Sequence, residues 1–321
     1  MFSQSYDGKV ITEGFRMSQQ LKTYLGITFA SIFSVWSSYS IHVLPIETQA
    51  LPILEALLDG TGRAPDQYRI APYFLITLIR DGISLFVGAD LQLRYSILVF
   101  DGFFLFLSAL ALIRHFNCVN DIQTGWLFLI YPFLMFGGYR PTASFILFLS
   151  VHAVVLIRKT SAHQSGAWPL LLITLLLSVT RADIALLFAI CSFGVAGLGR
   201  PTQTALIAIP LIAQLLLSNL MFTEAEYYSQ IFMLRDNLTL RYLGSSPITF
   251  AWVALLIRYW QPFKSFVSYG ARESKSSVFA MIAYTITLCL IARPDEYRLF
   301  LPFLPLILWL YEGYREEVES I

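Results

Sequence analysis

The sequence carries little charge. Asp, Glu, Lys and Arg together make up only 13% of it, about half the roughly 25% usual in soluble domains. Hydrophobic residues reach 56%, and the mean hydropathy is +0.64. Polar side chains are too few to cover a water-facing surface, which excludes a soluble globular fold. The net charge of +1 says nothing about nucleic acid, but no basic run is long enough to follow a phosphate backbone, so no nucleic-acid partner is expected. Cysteine is scarce. Cys118, Cys191 and Cys289 lie far apart without metal-ligand spacing and read as apolar filler. The histidines His42, His115, His152 and His163 are scattered and predict no metal site. Lysine is limited to five positions. There is no repeat and no low-complexity segment.

Apolar runs fill the remainder. A polar start with Lys9, Arg16 and Lys22 leads into a run at 24–44, long enough to cross about 30 Å of hydrocarbon and without a cleavage site after it, hence an uncleaved first span. Further runs follow at 91–113, 124–139, 142–157, 168–180, 184–198, 205–221, 248–256, 278–291 and 299–311. The predicted fold is all-α: one integral membrane domain over 1–321, a polytopic bundle of about ten spans. Several runs are short, as happens where helices end at a water-filled cavity.

The segment 70–87 decides the topology. It is long enough to span, but Arg80 and Asp81 stand near its middle, and an ionised residue at mid-bilayer costs about 2.5–3.5 kcal/mol. Phe74, Leu75, Leu78, Ile79 and Phe86 form a helical stripe, so the segment reads as an interfacial amphipathic helix. The first outer loop then covers 45–90. With the N-terminus in the cytoplasm, all five lysines fall inside, as the positive-inside rule favours, and both termini are cytoplasmic. A spanning 70–87 would move Arg158–Lys159 and the basic stretch 264–275 outside.

This topology leaves an outer side rich in arginine and carboxylate and free of lysine. Arginine offers a planar fork that matches phosphate, and it keeps its charge when partly desolvated. Carboxylates among such arginines at membrane level suit chemistry on an anionic lipid phosphate; interhelical salt bridges and snorkelling side chains are the structural alternative. Glu47 stands just after span one. A short helix over 50–58 ends at Asp59-Gly60, and a polar turn leads to Asp66-Gln67-Tyr68-Arg69-Ile70-Ala71-Pro72. A carboxylate fixed at a helix end makes a good general base. Gly137-Gly138-Tyr139-Arg140 is a bent outer turn aimed at a ligand or joining two helices. The loop 222–246 reads as a lid or a linker. Asp101 lies inside span two with Arg94 two turns earlier, and reads equally as functional or as a hydrogen-bonded structural group. The connection 261–277 is polar and basic and suits anionic headgroups.

The order of acidic residue after span one, short helix, Gly, polar turn, Tyr-Arg-x-x-Pro and interfacial helix resembles the first outer loop of GT-C-type glycosyltransferases. Thr180-Arg181-Ala182-Asp183 is similar to a turn of that superfamily. Arg293-Pro294-Asp295-Glu296-Tyr297-Arg298 is similar to the Arg-bearing approach to a late helix. No WWDYG-type oligosaccharyltransferase signature occurs. The resemblance implies an enzyme of the bacterial inner membrane that takes a sugar from a polyprenyl-phosphate donor to a lipid-linked or cell-envelope glycan acceptor. It implies Glu47 as the base on the acceptor. Tyr68, Arg69, Arg140, Arg181, Asp183, Arg293, Glu296 and Arg298 become the expected substrate and phosphate contacts. A divalent cation held by the outer carboxylates stays open. Two alternatives are an O-antigen or exopolysaccharide polymerase, for which the 222–246 loop is small, and a lipid or sugar transporter, for which no inverted repeat is found.

Overall fold

A computed structural model describes residues 6–63, 66–135, 140–162, 166–193, 198–224, 257–258, 260–291 and 297–320. Among these the regular structure is all helical. The helices are α1 Tyr6–His42, α2 Glu47–Leu58, α3 Ile70–Ile83, α4 Ala89–His115, α5 Asp121–Leu134, α6 Thr142–Ser161, α7 Ala167–Cys191, α8 Arg200–Leu216, α9 Trp260–Glu273, α10 Lys275–Ile291 and α11 Phe303–Glu319. Five runs are long and apolar enough to cross a membrane: Leu21–Leu58, Leu91–His115, Thr142–Ser161, Ala167–Cys191 and Arg200–Met221. The expected span at 248–256 and most of the 222–246 loop lie outside the described residues.

The bundle is built around α6. Leu147, Val151, Val154 and Ile157 are fully buried on it. The peripheral α1 and α5 instead leave Phe29, Trp36, Trp126 and Phe133 open. An apolar side chain turned outward at this density suits lipid rather than water. Small residues let α4 and α6 approach closely: Ser108 Oγ donates to the Ser144 carbonyl at 3.3 Å, and the Phe104 and Phe145 rings meet edge to face at 4.6 Å. Ser34 Oγ donates across to the Phe128 carbonyl. Such hydroxyls join helices where water is scarce.

Contacts fix the direction of the main helices. We call the end of the bundle at Thr142 the upper end and that at Ser161 the lower. Arg158 donates to the His115 carbonyl and pairs with Glu312 at 2.8 Å, so α4 and α11 also finish at the lower end. His42 meets the Pro132 carbonyl at 2.8 Å, so α1 and α5 finish at the upper end. Phe222, after α8, lies against Tyr68 there.

Two sequence readings are corrected. The turn expected between the runs 168–180 and 184–198 narrows to one residue. The first run and the start of the second lie in α7, which ends at Cys191 and is broken only at Arg181, whose backbone is extended (φ −158°, ψ 99°). The chain reverses at that residue. Ser161 lies at the lower end, Arg181 lies near Asp66 at the upper end, and Cys191 returns to Ser276 at the start of α10. The arms, 167–180 and 182–191, rise only about 21 and 15 Å. The second correction concerns 70–87. Its helix stops at Ile83, so Arg80 occupies the last turn rather than the middle. At 14 residues, or about 21 Å, α3 is too short to span alone. It buries Pro72, Tyr73 and Ile76 against α4 and α7 and leaves Phe74 and Leu78 open.

Candidate anion-binding site

The site begins in the turn after α2. Gly60 takes a positive φ of 79°, a conformation open to glycine at little cost, and the Thr61 N–H closes onto the Ala56 carbonyl. The turn delivers Asp66 to a short 3-10 helix, Asp66–Tyr68. Asp66 is 6% exposed at its side chain and lies between two guanidinium groups, Arg69 at 2.7 Å and Arg140 at 3.4 Å. Arg140 directly precedes α6, so Asp66 ties the first upper segment to the central helix.

The break in α7 supplies the second half. Three hydroxyls in the preceding turns, Thr174, Ser178 and Thr180, donate back to carbonyls four residues earlier, a pattern that bends helices. After the break Asp183 stands in the first turn of the second arm, where a carboxylate complements the helix dipole. Arg181 grips it with two donors, Nε to Oδ1 at 3.1 Å and a terminal nitrogen to Oδ2. The Tyr284 hydroxyl of α10 donates to Asp183 Oδ2 at 3.0 Å and accepts from Arg181 at 3.1 Å.

The two halves meet. Arg181 lies within electrostatic range of Asp66, and both Asp183 and Tyr284 lie within range of Arg69. Among the described residues, three guanidinium groups therefore gather around two carboxylates. Asp183 retains 41% of its side-chain surface, so the group is open on that side. Four of the residues expected to bind substrate, Arg69, Arg140, Arg181 and Asp183, are brought together although up to 114 positions separate them in the sequence.

Glu47 belongs to another constellation. Both its oxygens are engaged: Arg94 donates through Nε to Oε1 at 2.9 Å and through a terminal nitrogen to Oε2 at 2.7 Å, and the Tyr39 hydroxyl donates to Oε1 at 2.6 Å. The glutamate and the arginine side chains keep 19% and 26% of their surface. These three bonds leave one of the carboxylate's lone-pair sites, so an incoming hydroxyl either takes that site or displaces Tyr39. Arg94 thus serves Glu47 and not Asp101, which is fully buried and receives the Tyr131 hydroxyl at 2.7 Å.

The other expected contacts are placed as follows. The Tyr68 ring is buried against Leu217 with Ile70 and Phe222, turned toward α8. Arg298 is half-buried on the 3-10 helix Tyr297–Phe300. Arg293 and Glu296 lie outside the described residues, as do Gly137, Gly138 and Tyr139. Sequence reasoning missed Tyr39, Arg94 and Tyr284 as site partners. The signal for Arg94 was present: an arginine near the start of span two and a glutamate just past the end of span one stand at one level of an antiparallel pair. Tyr284 carries no such signal, being one aromatic among many in an apolar helix.

No known family, no curated protein and no solved structure matches this chain. Among the described residues, no group of three or more His, Cys, Asp and Glu is arranged to hold a metal ion.

Proposed function

We propose that this is a GT-C-like membrane glycosyltransferase, which passes a sugar from a polyprenyl-phosphate donor to a lipid-linked or envelope glycan acceptor. One observation supports the reading above the others. Arg69, Arg140 and Arg181 converge around Asp66 and Asp183, at the end of the described bundle away from its lysines. Guanidinium forks placed this way hold a phosphate and stabilise the charge that grows on it as the glycosidic bond breaks. Glu47 would accept the acceptor hydroxyl's proton after exchanging its Tyr39 bond, with Arg94 fixing its position.

The topology we propose keeps about ten passes. α1, α4, α5, α6, α8, α10 and α11 alternate between the ends, together with the two arms of α7, each too short to cross alone, which meet at Arg181. The chain stands at the upper end at Phe222 and at the lower end at Trp260. Lys22, Lys159, Lys264 and Lys275 lie toward the lower end, which supports a cytoplasmic lower end in a bacterial inner membrane.

The test supplies membranes holding the protein with a set of polyprenyl-phosphate sugars and follows release of free polyprenyl phosphate. Wild type is expected to release it. Glu47→Gln is expected to abolish release while keeping donor bound, and Arg181→Gln is expected to weaken donor binding. Absence of release with every donor, or release unchanged in both variants at normal protein levels, refutes the proposal. Single additions mark a transferase, and ladders of repeats mark a polymerase.

A further inference from the structure

The polar, basic connection at 261–277 is not a loop but the helix α9, and its placement carries an inference independent of the proposed reaction. α9 is held to the lower end of the bundle by its last turns. Phe266 and Tyr269 meet the Tyr314 ring at 5.9 and 5.7 Å. Gly270 lies against Val278 and Leu310, and Arg272 pairs with Glu317 at 2.7 Å. Ser274 alone separates α9 from the apolar helix α10.

Among the described residues, no ring contact or ion pair joins the first turns of α9 to α11. Trp260 and Phe263 are 55% and 40% exposed, and their rings lie 6.1 Å apart. Lys264 is exposed one helical turn after Trp260, and Lys275 is exposed where α10 begins. A paired aromatic face carrying Lys264 at one end of α9, with Lys275 past the other end where an apolar helix starts, has the chemistry of a bilayer surface. Aromatic rings seat among the headgroups, lysine stems lie along them, and the ammonium groups reach the anionic phosphates.

We propose that α9 is an anionic-lipid anchor: Trp260 and Phe263 enter the headgroup layer, and Lys264 and Lys275 bind acidic headgroups. Lipid is favoured over a protein partner because α9 leads, through Ser274, into a helix whose Phe279, Ile282 and Ile286 are themselves open to the surroundings.

The test is amide hydrogen exchange of the full chain in nanodiscs of phosphatidylcholine alone and of phosphatidylcholine mixed with phosphatidylglycerol. Exchange across 260–267 is expected to be slower in the anionic discs, by on the order of fivefold for each lysine released on opening. High salt is expected to shrink the difference. The double change Lys264→Gln/Lys275→Gln is expected to abolish it, whereas Lys264→Arg/Lys275→Arg, which keeps the charge, is expected to retain it. Equal exchange of the wild type in both discs overturns the proposal. So does a difference that survives the glutamine changes or vanishes in the arginine changes.

Discussion

Asp66 is the hinge of the arginine cluster, and neutralising it gives a quantitative test of that geometry. Its carboxylate lies 3.4 Å from Arg140, a residue 74 positions later in the sequence. At an effective dielectric of about 20, unit charges this close attract by roughly 5 kcal/mol. Asp66 is almost fully desolvated, and Arg140 keeps 29% of its side-chain surface, so desolvation and screening offset most of that attraction. A net coupling of about 1–2 kcal/mol remains. Asp66→Asn is therefore expected to lower the thermal unfolding midpoint in detergent by several degrees. Arg140→Gln is expected to cost less, because it leaves Asp66 paired with Arg69. In a double-mutant cycle the two changes are expected to be non-additive by that coupling. A coupling near zero, or an Asp66→Asn protein as stable as wild type, would show that the first upper segment does not dock onto α6 through this pair.

Three further outcomes are expected. Arg181→Lys loses the fork on Asp183 and the hydrogen bond to Tyr284. It is expected to raise the KM for a polyprenyl-phosphate donor roughly tenfold or more, from about 1.5–3 kcal/mol per charged hydrogen bond, measured in the release assay. Gly313→Ala places a Cβ into the Tyr269 hydroxyl and is expected to cost about 1–3 kcal/mol by overpacking; Tyr269→Phe in the same chain is expected to recover part of the lost thermal stability. Cys118, in the connection between α4 and α5, has its thiol pushed up by burial first and by the Glu312 carboxylate second. Since the thiolate is the nucleophile, maleimide labelling at mildly alkaline pH is expected to be slow. Glu312→Gln is expected to shift the labelling profile toward lower pH.

The parts of the fold set by lipid length were legible in the sequence. α1, α4 and α6 match the apolar runs at 24–44, 91–113 and 142–157 because backbone hydrogen bonding in hydrocarbon leaves a helix of that length as the simplest solution. The short helix after Glu47 and its stop at Gly60 were legible for a local reason, the positive φ. Less legible were features decided by contacts between helices. The Arg181–Asp183 pair marked where a run is interrupted, but a sequence cannot distinguish a loop from a single extended residue between two arms. α9 was read as a connection because its apolar residues fall on one side only and its lysines dilute the run. Glu47 was legible as a carboxylate at a helix end; its Arg94 fork depends on the relative register of α1, α2 and α4, which no local pattern encodes. The reverse holds for Arg69, Arg140, Arg181 and Asp183. Each was singled out by its side of the membrane, and that shared side is what allows them to converge.

The most direct measurement of the central claim is binding of polyprenyl phosphate to the purified protein, wild type against Arg69→Gln/Arg181→Gln. The account predicts saturable binding by wild type, competed by the matching polyprenyl-phosphate sugar and weakened at least tenfold in the double variant, as expected for loss of charged hydrogen bonds of about 1.5–3 kcal/mol each. Equal binding by a folded double variant, or no saturable binding by wild type, would contradict it.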